Sequence, residues 1–293
     1  MSTSTDAFLQ TAWSDHGDHP QEVADRLASS IALIRSPQEF APYVRLVVHV
    51  YGEHLGQWQR GGDLLARLRN VPAFDASPDA ALPIEQAVAT MRFASGDAAA
   101  LDALSVDARV SALATAASAF AARDELQKAI EAYQRALNEA EVGLTEGSPA
   151  IRSLAVAGNN LAAVLEGKPD RDDLQTKAML AAAAAGLKYW KQAGTWLEEE
   201  RAEYRLARSQ LQARLAREAV ASAQRCIAIC RHNGASPFEL FFGFAVLAIA
   251  QRGAGDRSGS DANREEARRQ LELVSDEERE WCRADLAELD ALA

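Results

Sequence analysis

Apolar residues recur along the chain at the three- and four-residue spacing of an amphipathic α-helix. No stretch of useful length alternates apolar and polar residues as a half-buried strand does. Short polar, glycine or proline breaks separate the apolar runs at a steady rhythm. The pattern predicts helices over 6–15, 20–35, 38–58, 61–70, 83–95, 97–105, 107–122, 124–144, 149–166, 171–192, 195–213, 215–233, 237–253, 261–274 and 276–291.

Most of these segments are helices of about 15 residues that form pairs. Turns of two to four residues join the two helices of a pair, and the pairs recur about every 34 to 45 residues. A regular succession of helical hairpins indicates a helical-repeat solenoid, in which each hairpin buries its apolar face against the next. We therefore expect one continuous solenoid domain. Its parts are degenerate hairpins over 1–75, regular hairpins over 76–275 and a C-terminal capping helix over 276–293.

Composition supports helix throughout and excludes some functions. Alanine, the best helix former, makes up about a fifth of the chain. The net charge is −11, so the surface is not the basic one that nucleic acid binding needs, and we expect no nucleic acid partner. No leader-like segment opens the sequence, and the most apolar stretch, Phe238–Ala250, is about half as long as a membrane span. We expect a cytoplasmic protein without a membrane partner.

Two hairpins carry a specific pattern of small and large residues. In the first, Leu113, Ala117 and Phe120 are followed by Ala129 and Tyr133. The second repeats the twelve-residue offset from Ala207 to Ala219, and a weaker copy surrounds Tyr51-Gly52.

This pattern resembles the tetratricopeptide repeat (TPR), in which a small residue on the first helix faces a small residue on the second. The resemblance covers about residues 38–275 and is degenerate outside the two hairpins. It implies an all-α, right-handed α-α superhelical solenoid of about six TPR-like hairpins plus a C-terminal capping helix. Two connections depart from the family: Gly167 to Asp173 is longer than the family turn, and Gly253 to Asp261 is predicted to be an extended, flexible turn.

In the TPR family the first helix of each hairpin lines a concave face that holds a peptide or a partner helix. Counting from the motif residues places Val156 and six polar side chains on that face. Asparagine can both donate to and accept from a peptide bond, and arginine offers a planar fork to a carboxylate. We therefore predict a partner-binding site, with an acidic partner as one expectation, at Asn159, Asn160, Arg201, Tyr204, Arg205 and Arg208.

Two interpretations of these side chains stay open. TPR domains that clamp a peptide's carboxyl terminus use an asparagine at the position of Asn160 beside cationic residues. The family's clamp lysines have no counterparts in the preceding hairpin, where the sequence has Ser111, Ala114, Thr115 and Ser118. In the other interpretation the three arginines pair along their own helix with Glu198, Glu199, Glu200 and Glu203.

We expect neither a metal nor another cofactor. His16 and His19 lie in an N-terminal turn where helix capping accounts for them, and nothing in the sequence completes a site. His49 and His54 are five residues apart and would not share a face of an α-helix. Cys226 and Cys230 would share one, which suits a buried stripe.

The sequence therefore favours a protein- or peptide-binding scaffold without chemistry of its own. One alternative is a regulatory sensor of bacterial type that responds to a ligand or peptide. The other is an α-helical enzyme with a site in the groove, but no phosphate loop, nucleophile elbow or metal-binding helix motif is present. The amphipathic C-terminal helix, with Trp281, Leu286 and Leu289, is expected to close the last hairpin or to form a homodimer contact.

Overall fold

A computed structural model describes residues 4–292, and every regular element in that range is a helix. The predicted all-α architecture is confirmed. The chain divides into two compact units, residues 1–153 and residues 154–293, with the boundary inside one helix. None of the described helices is both long enough and apolar enough to cross a bilayer. The division of the sequence into three parts stays a prediction.

The first unit contains seven α-helices. Their bounds are α1 Thr5–Asp15, α2 Pro20–Ser30, α3 Phe40–Val47, α4 Trp58–Arg67, α5 Pro78–Ala94, α6 Val106–Ala122 and α7 Leu126–Ala140.

The helix that crosses the unit boundary is α8, Pro149–Glu166. The helices that follow it in the second unit are α9 Asp173–Ala193, α10 Trp196–Gln212, α11 Ala216–Asn233, α12 Pro237–Gly253, α13 Arg257–Leu273, α14 Asp276–Arg279 and α15 Arg283–Asp290.

The small residues of the TPR-like pattern lie where two helices of a hairpin meet. Ala117 and Ala129 are both fully buried where α6 packs on α7. Ala207 and Ala219 are likewise buried where α10 packs on α11. Alanine at these positions lets the helix backbones approach. The neighbouring Phe120, 3 % exposed, packs against the ring of Trp58 with ring centroids 5.5 Å apart.

The segment after α3 departs from an α-helix. Residues Val48–His54 form a π-helix, and the amide of Leu55 donates to the carbonyl of Val50, five residues earlier. A π-helix brings residues i and i+5 to one face, whereas in an α-helix they are about 140° apart. The expectation that His49 and His54 do not share a face is therefore wrong, and their rings are 4.8 Å apart.

Two elements of the second unit differ from their predicted form. The extended turn from Gly253 to Asp261 is absent because α13 already begins at Arg257, where the Asp256 side chain accepts the amide of Gly259. The C-terminal helix is broken by a 3-10 turn, Glu280–Cys282, which changes its phase. Trp281 is consequently 75 % exposed, and Cys282 and Leu289 form the buried stripe.

Helix α4 offers a direct test of close packing in the first unit. A Cβ added at Gly61 would lie 2.9 Å from the Cβ of Tyr51 and 2.8 Å from the Cε of Met91. At the next residue, Gly62, the nearest atom would be 3.7 Å away, which is ordinary contact.

We expect Gly61→Ala to lower the free energy of unfolding by about 1–3 kcal/mol, because the Tyr51 Cβ is fixed to the backbone and cannot yield cheaply. The matched variant Gly62→Ala should raise it by up to about 1 kcal/mol, because alanine is the better helix former. Chemical denaturation of both variants measures the difference. Equal effects would contradict the packing described for α4.

Candidate partner-binding site

Helix α10 carries four of the six predicted site residues in one stripe. A capping box starts it: the amide of Thr195 donates to Glu198 at 2.8 Å, and the amide of Leu197 donates to the Thr195 hydroxyl at 3.3 Å. Steps of three and four residues then place Arg201, Tyr204, Arg205 and Arg208 along the same side of the helix.

Arg205 is held by the last residue of α8. Its guanidinium donates to Glu166, whose side chain is only 9 % exposed, and Ser209 donates its hydroxyl to the other carboxylate oxygen at 2.6 Å. Burial raises the pKa of Glu166, while Arg205 and Ser209 oppose that shift. This buried pair joins α8 to α10.

Arg201 is held by α12. Its guanidinium donates to the Glu239 carboxylate, which is 9 % exposed, and this hydrogen bond raises the pKa of Arg201. More than half of the Arg201 side chain, 54 %, stays exposed. Arg201 is therefore paired with Glu239 and still accessible to solvent.

Tyr204 and Arg208 contact the C-terminal helix. The Tyr204 hydroxyl donates to Asp285 at 2.6 Å, and the two Nη atoms of Arg208 donate to the two carboxylate oxygens of Glu288 at 2.7 and 2.6 Å. Such a fork-to-fork pair is the strongest geometry for arginine and carboxylate. Leu289, fully buried, anchors α15 beside α12. The acidic face of α15 thus covers part of α10.

The described ion pairs of the arginines reach other helices rather than running along α10. Acids of α10 also have partners on neighbouring helices, while the charges of Glu198 and Glu200 contribute to the raised pKa of Arg201. Glu203 accepts from Arg225 of α11 at 2.9 Å, and Lys191 of α9 lies 3.5 Å away. Glu200 accepts from the thiol of Cys226 at 2.9 Å. Proximity in sequence suggested the along-helix pairing, but these side chains point toward the packed neighbours.

Asn159 and Asn160 lie on α8. Asn159 is half-buried, and its Oδ1 has no hydrogen-bond partner among residues 4–292, whereas Asn160 is exposed. Gly186 of α9 allows close packing here, because a Cβ at that residue would lie 3.2 Å from the backbone nitrogen of Asn159.

The structure places the two asparagines and Arg201 on parallel neighbours. Helix α9 runs antiparallel to both α8 and α10, as Gly186 beside Asn159 and Lys191 beside Glu199 show. With Glu166 against Arg205, counting six residues back along both helices brings Asn160 level with Glu199, two residues before Arg201. Within the described range no hydrogen bond joins either asparagine to an arginine.

The acids of α15 were not among the site residues predicted from the sequence. Asp285 and Glu288 are three residues apart and so share one helix face. Tyr204 and Arg208 share one face of α10 in the same way, because they are four residues apart. These two matching spacings were the signal in the sequence that could have indicated the contact. It could not be used, because about 80 residues separate the partners and nothing local indicates that α15 folds back to α10.

Glu200 and Cys226 form a separate buried group. Glu200 is 1 % exposed, and Cys226 and Cys230 are fully buried, as the stripe on α11 predicted. Burial raises the pKa of Glu200 to about 7. The Cys226 hydrogen bond opposes this shift, whereas the nearby Glu239 carboxylate adds to it by repulsion and by favouring the protonated carboxyl.

The buried Arg205–Glu166 pair predicts a cost of disruption. Arg205→Met should lower the free energy of unfolding by about 3 kcal/mol, because it leaves Glu166 buried without its cation. Arg268→Met is the control: Arg268 and Asp290 form an ion pair at 2.7 Å with side chains 43 % and 52 % exposed, and losing it should cost less than about 1 kcal/mol. Similar losses in both variants, measured by urea denaturation, would argue against a structural pair.

The raised pKa of Glu200 predicts a pH dependence. The ordinary pKa of a glutamate is 4.5. Between pH 4.5 and about pH 7, Glu200 therefore keeps a proton in the folded chain that it has released in the unfolded chain. The contribution of Glu200 to stability is therefore complete below pH 4.5 and is lost as pH rises through about 7. Relative to Glu200→Gln, wild type should lose at most about 3 kcal/mol across this window. Parallel pH profiles of unfolding free energy for the two proteins would contradict the assignment.

Comparison with known proteins places this architecture. The sequence matches no protein-family model, and no curated protein matches it. The nearly identical TPR-like repeats of a kinesin light chain candidate from Podosopora anserina superpose with a TM-score of 0.51 at 16 % identity, covering 81 % of this chain and 97 % of theirs.

A second solved structure is a signal transduction ATPase with numerous domains from Pyrococcus horikoshii that has a tetratricopeptide repeat sensor. It matches with a TM-score of 0.50 at 12 % identity, over 94 % of this chain and 43 % of its own. At these identities the likeness concerns the fold alone. The chain has the fold of TPR-like helical-repeat solenoids, as the small-residue pattern predicted.

Proposed function

We propose that the protein is a binding scaffold whose second unit takes an acidic segment of a partner protein or peptide along α8 and α10. Helical-repeat folds of this type typically serve protein interaction. The observation that carries the proposal is that α10 already binds an acidic helix of its own chain, through Tyr204 to Asp285 and Arg208 to Glu288.

Two kinds of contact would have different roles in such a site. Arg205 is tied to a buried carboxylate, so it positions α8 against α10. Tyr204 and Arg208 bind the C-terminal helix, where the Glu288 side chain is 45 % exposed. An acidic partner would have to supply carboxylates of its own to both, because Asp285 is buried at 7 % exposure and the Arg208 side chain is only 15 % exposed. Arg201, Asn159 and Asn160 would extend the contact toward the start of α10.

The C-terminal helix is the competitor that a partner displaces. It belongs to the same chain, so its effective concentration at α10 is high and a free ligand must overcome that advantage. Loss of Asp285 and Glu288 should therefore increase, rather than decrease, the affinity for an acidic segment.

The probe for this test is a synthetic peptide with the sequence of residues 276–292. Its affinity for the full chain is measured by fluorescence anisotropy. We expect the Asp285→Asn/Glu288→Gln chain to bind the peptide at least about 10-fold more tightly than wild type does, because the competitor within the chain is weakened. A peptide that carries the same two substitutions should not bind.

The charge-matched control is Asp276→Asn/Glu277→Gln, which removes two negative charges from the same segment away from α10. It should bind like wild type. Equal binding by wild type and the Asp285/Glu288 variant, or binding of the substituted peptide, would count against the proposed site.

A regulatory sensor is the second candidate, because the contact of α15 with α10 offers two states, covered and uncovered. A ligand would favour the uncovered state only through its higher affinity for that state. The TPR sensor of the Pyrococcus horikoshii protein is a structural precedent for this use of the fold. A change in small-angle scattering on peptide addition would favour the sensor, and unchanged scattering a simple scaffold.

The homodimer contact expected at the C-terminal helix would have to use other residues than Leu289. That side chain is fully buried within the chain, whereas Trp281 is 75 % exposed. In the proposal a second copy would therefore dock on Trp281 and leave the contact of α15 with α10 intact.

A further inference from the structure

Three histidines of the first unit meet at one point. His16 follows α1, and His49 and His54 lie in the π-helical segment after α3. The three ring centroids are 4.8 to 5.1 Å apart, and one nitrogen from each ring lies within 4.8 Å of the others. All three rings are partly buried. The partner-binding proposal does not use them.

Two of the rings already have nearly the separation that a zinc ion imposes. The Nε2 atoms of His49 and His54 are 3.1 Å apart. Zinc is bound by imidazole nitrogen at about 2.0–2.1 Å in a tetrahedron, which puts two ligand nitrogens about 3.3–3.4 Å apart. A metal ion could take the place of the proton between these nitrogens with little movement of either ring.

The outer nitrogens are held in the way that metal-binding histidines require. The Nδ1 of His16 lies 2.6 Å from the carbonyl oxygen of Trp13, and the Nδ1 of His49 lies 3.0 Å from the carboxylate of Glu53. Both oxygens only accept, so each Nδ1 carries the hydrogen and each Nε2 keeps its lone pair. Carboxylates and carbonyls in these positions orient the imidazole ligands of zinc sites.

An aromatic ring shields the three histidines from one side. The Trp13 ring, 5.0 Å from His16 and 5.1 Å from His49, covers one side of the group.

We propose that His16, His49 and His54 bind one divalent transition-metal ion, Zn²⁺ in the first place, through three imidazole nitrogens. Three histidines leave the fourth tetrahedral position to water or an external ligand, which is the ligand count of open zinc sites. Glu53 orients His49 from outside and is not itself a ligand.

A second group of metal-ligating side chains must be distinguished from this one. Glu200, Cys226 and Cys230 also bring their ligand atoms within 4.8 Å of one another, but all three are fully buried. The Cys226 thiol donates a hydrogen bond to Glu200. A metal there would have to displace the thiol proton and enter a closed core, so this group serves as the alternative outcome.

Equilibrium dialysis of the chelator-treated full chain against Zn²⁺ at neutral pH tests the site. We expect one Zn²⁺ per chain. Each of His16→Gln, His49→Gln and His54→Gln should lower the affinity by more than about 100-fold, and Glu53→Gln by about 10-fold, as loss of an orienting carboxylate does. His19→Gln is the matched control, because His19 lies in the same turn with a side chain 60 % exposed.

A second measurement does not depend on the folding of any variant. Co²⁺ bound to the wild-type chain should give the intense visible absorption of a tetrahedral site without the thiolate-to-metal band that cysteine ligands produce. Zn²⁺ should also raise the melting temperature of wild type and of His19→Gln alike.

Three results would overturn the proposal. One is the absence of stoichiometric Zn²⁺ binding by the wild-type chain. Another is binding that survives substitution of the three histidines and disappears in Cys226→Ala/Cys230→Ala. The third is a thiolate band in the Co²⁺ spectrum.

Discussion

The second unit depends on the polar side chains of α10, which pair with side chains of the neighbouring helices. Arg205 meets Glu166 of α8, Glu203 meets Arg225 of α11, and Arg201 meets Glu239 of α12. A buried carboxylate is costly unless a cation or donor reaches it. These pairs therefore fix how the helices are placed around α10, in addition to the apolar packing that TPR-like hairpins share.

This constraint limits which contacts a ligand can exchange. Replacing the partner of Arg205 would leave Glu166 charged and buried, so that pair belongs to the framework. The pair of Arg208 and Glu288 is different, because Glu288 is nearly half exposed and lies on the last helix of the chain. Exchange there leaves no framework carboxylate without its cation, although it also uncovers Asp285 and Leu289, and the proposed site accordingly centres on the end of α10 that α15 covers.

The sequence predicted the hairpins because their pattern is local. Ala117 and Ala129 are separated by one turn between helices, and small residues at that offset suffice to place the two helices against each other. The partners of the arginines are not local: Glu166 is 39 residues from Arg205 and Glu288 is 80 from Arg208. Tertiary placement selected these acids over the nearer glutamates of α10, and no periodicity carries that information.

The π-helix after α3 was hidden for a related reason. Helical periodicity assumes 3.6 residues per turn, and on that assumption His49 and His54 point apart. In the structure Tyr51 donates its hydroxyl to the carbonyl of Ala24, and a Cβ on Gly52 would lie 2.6 Å from the Trp58 ring. These contacts with α2 and α4 hold the widened turn, which a chain in isolation would not favour. The same widened turn brings the two imidazoles together, so the packing that the sequence could not reveal also creates the proposed metal site.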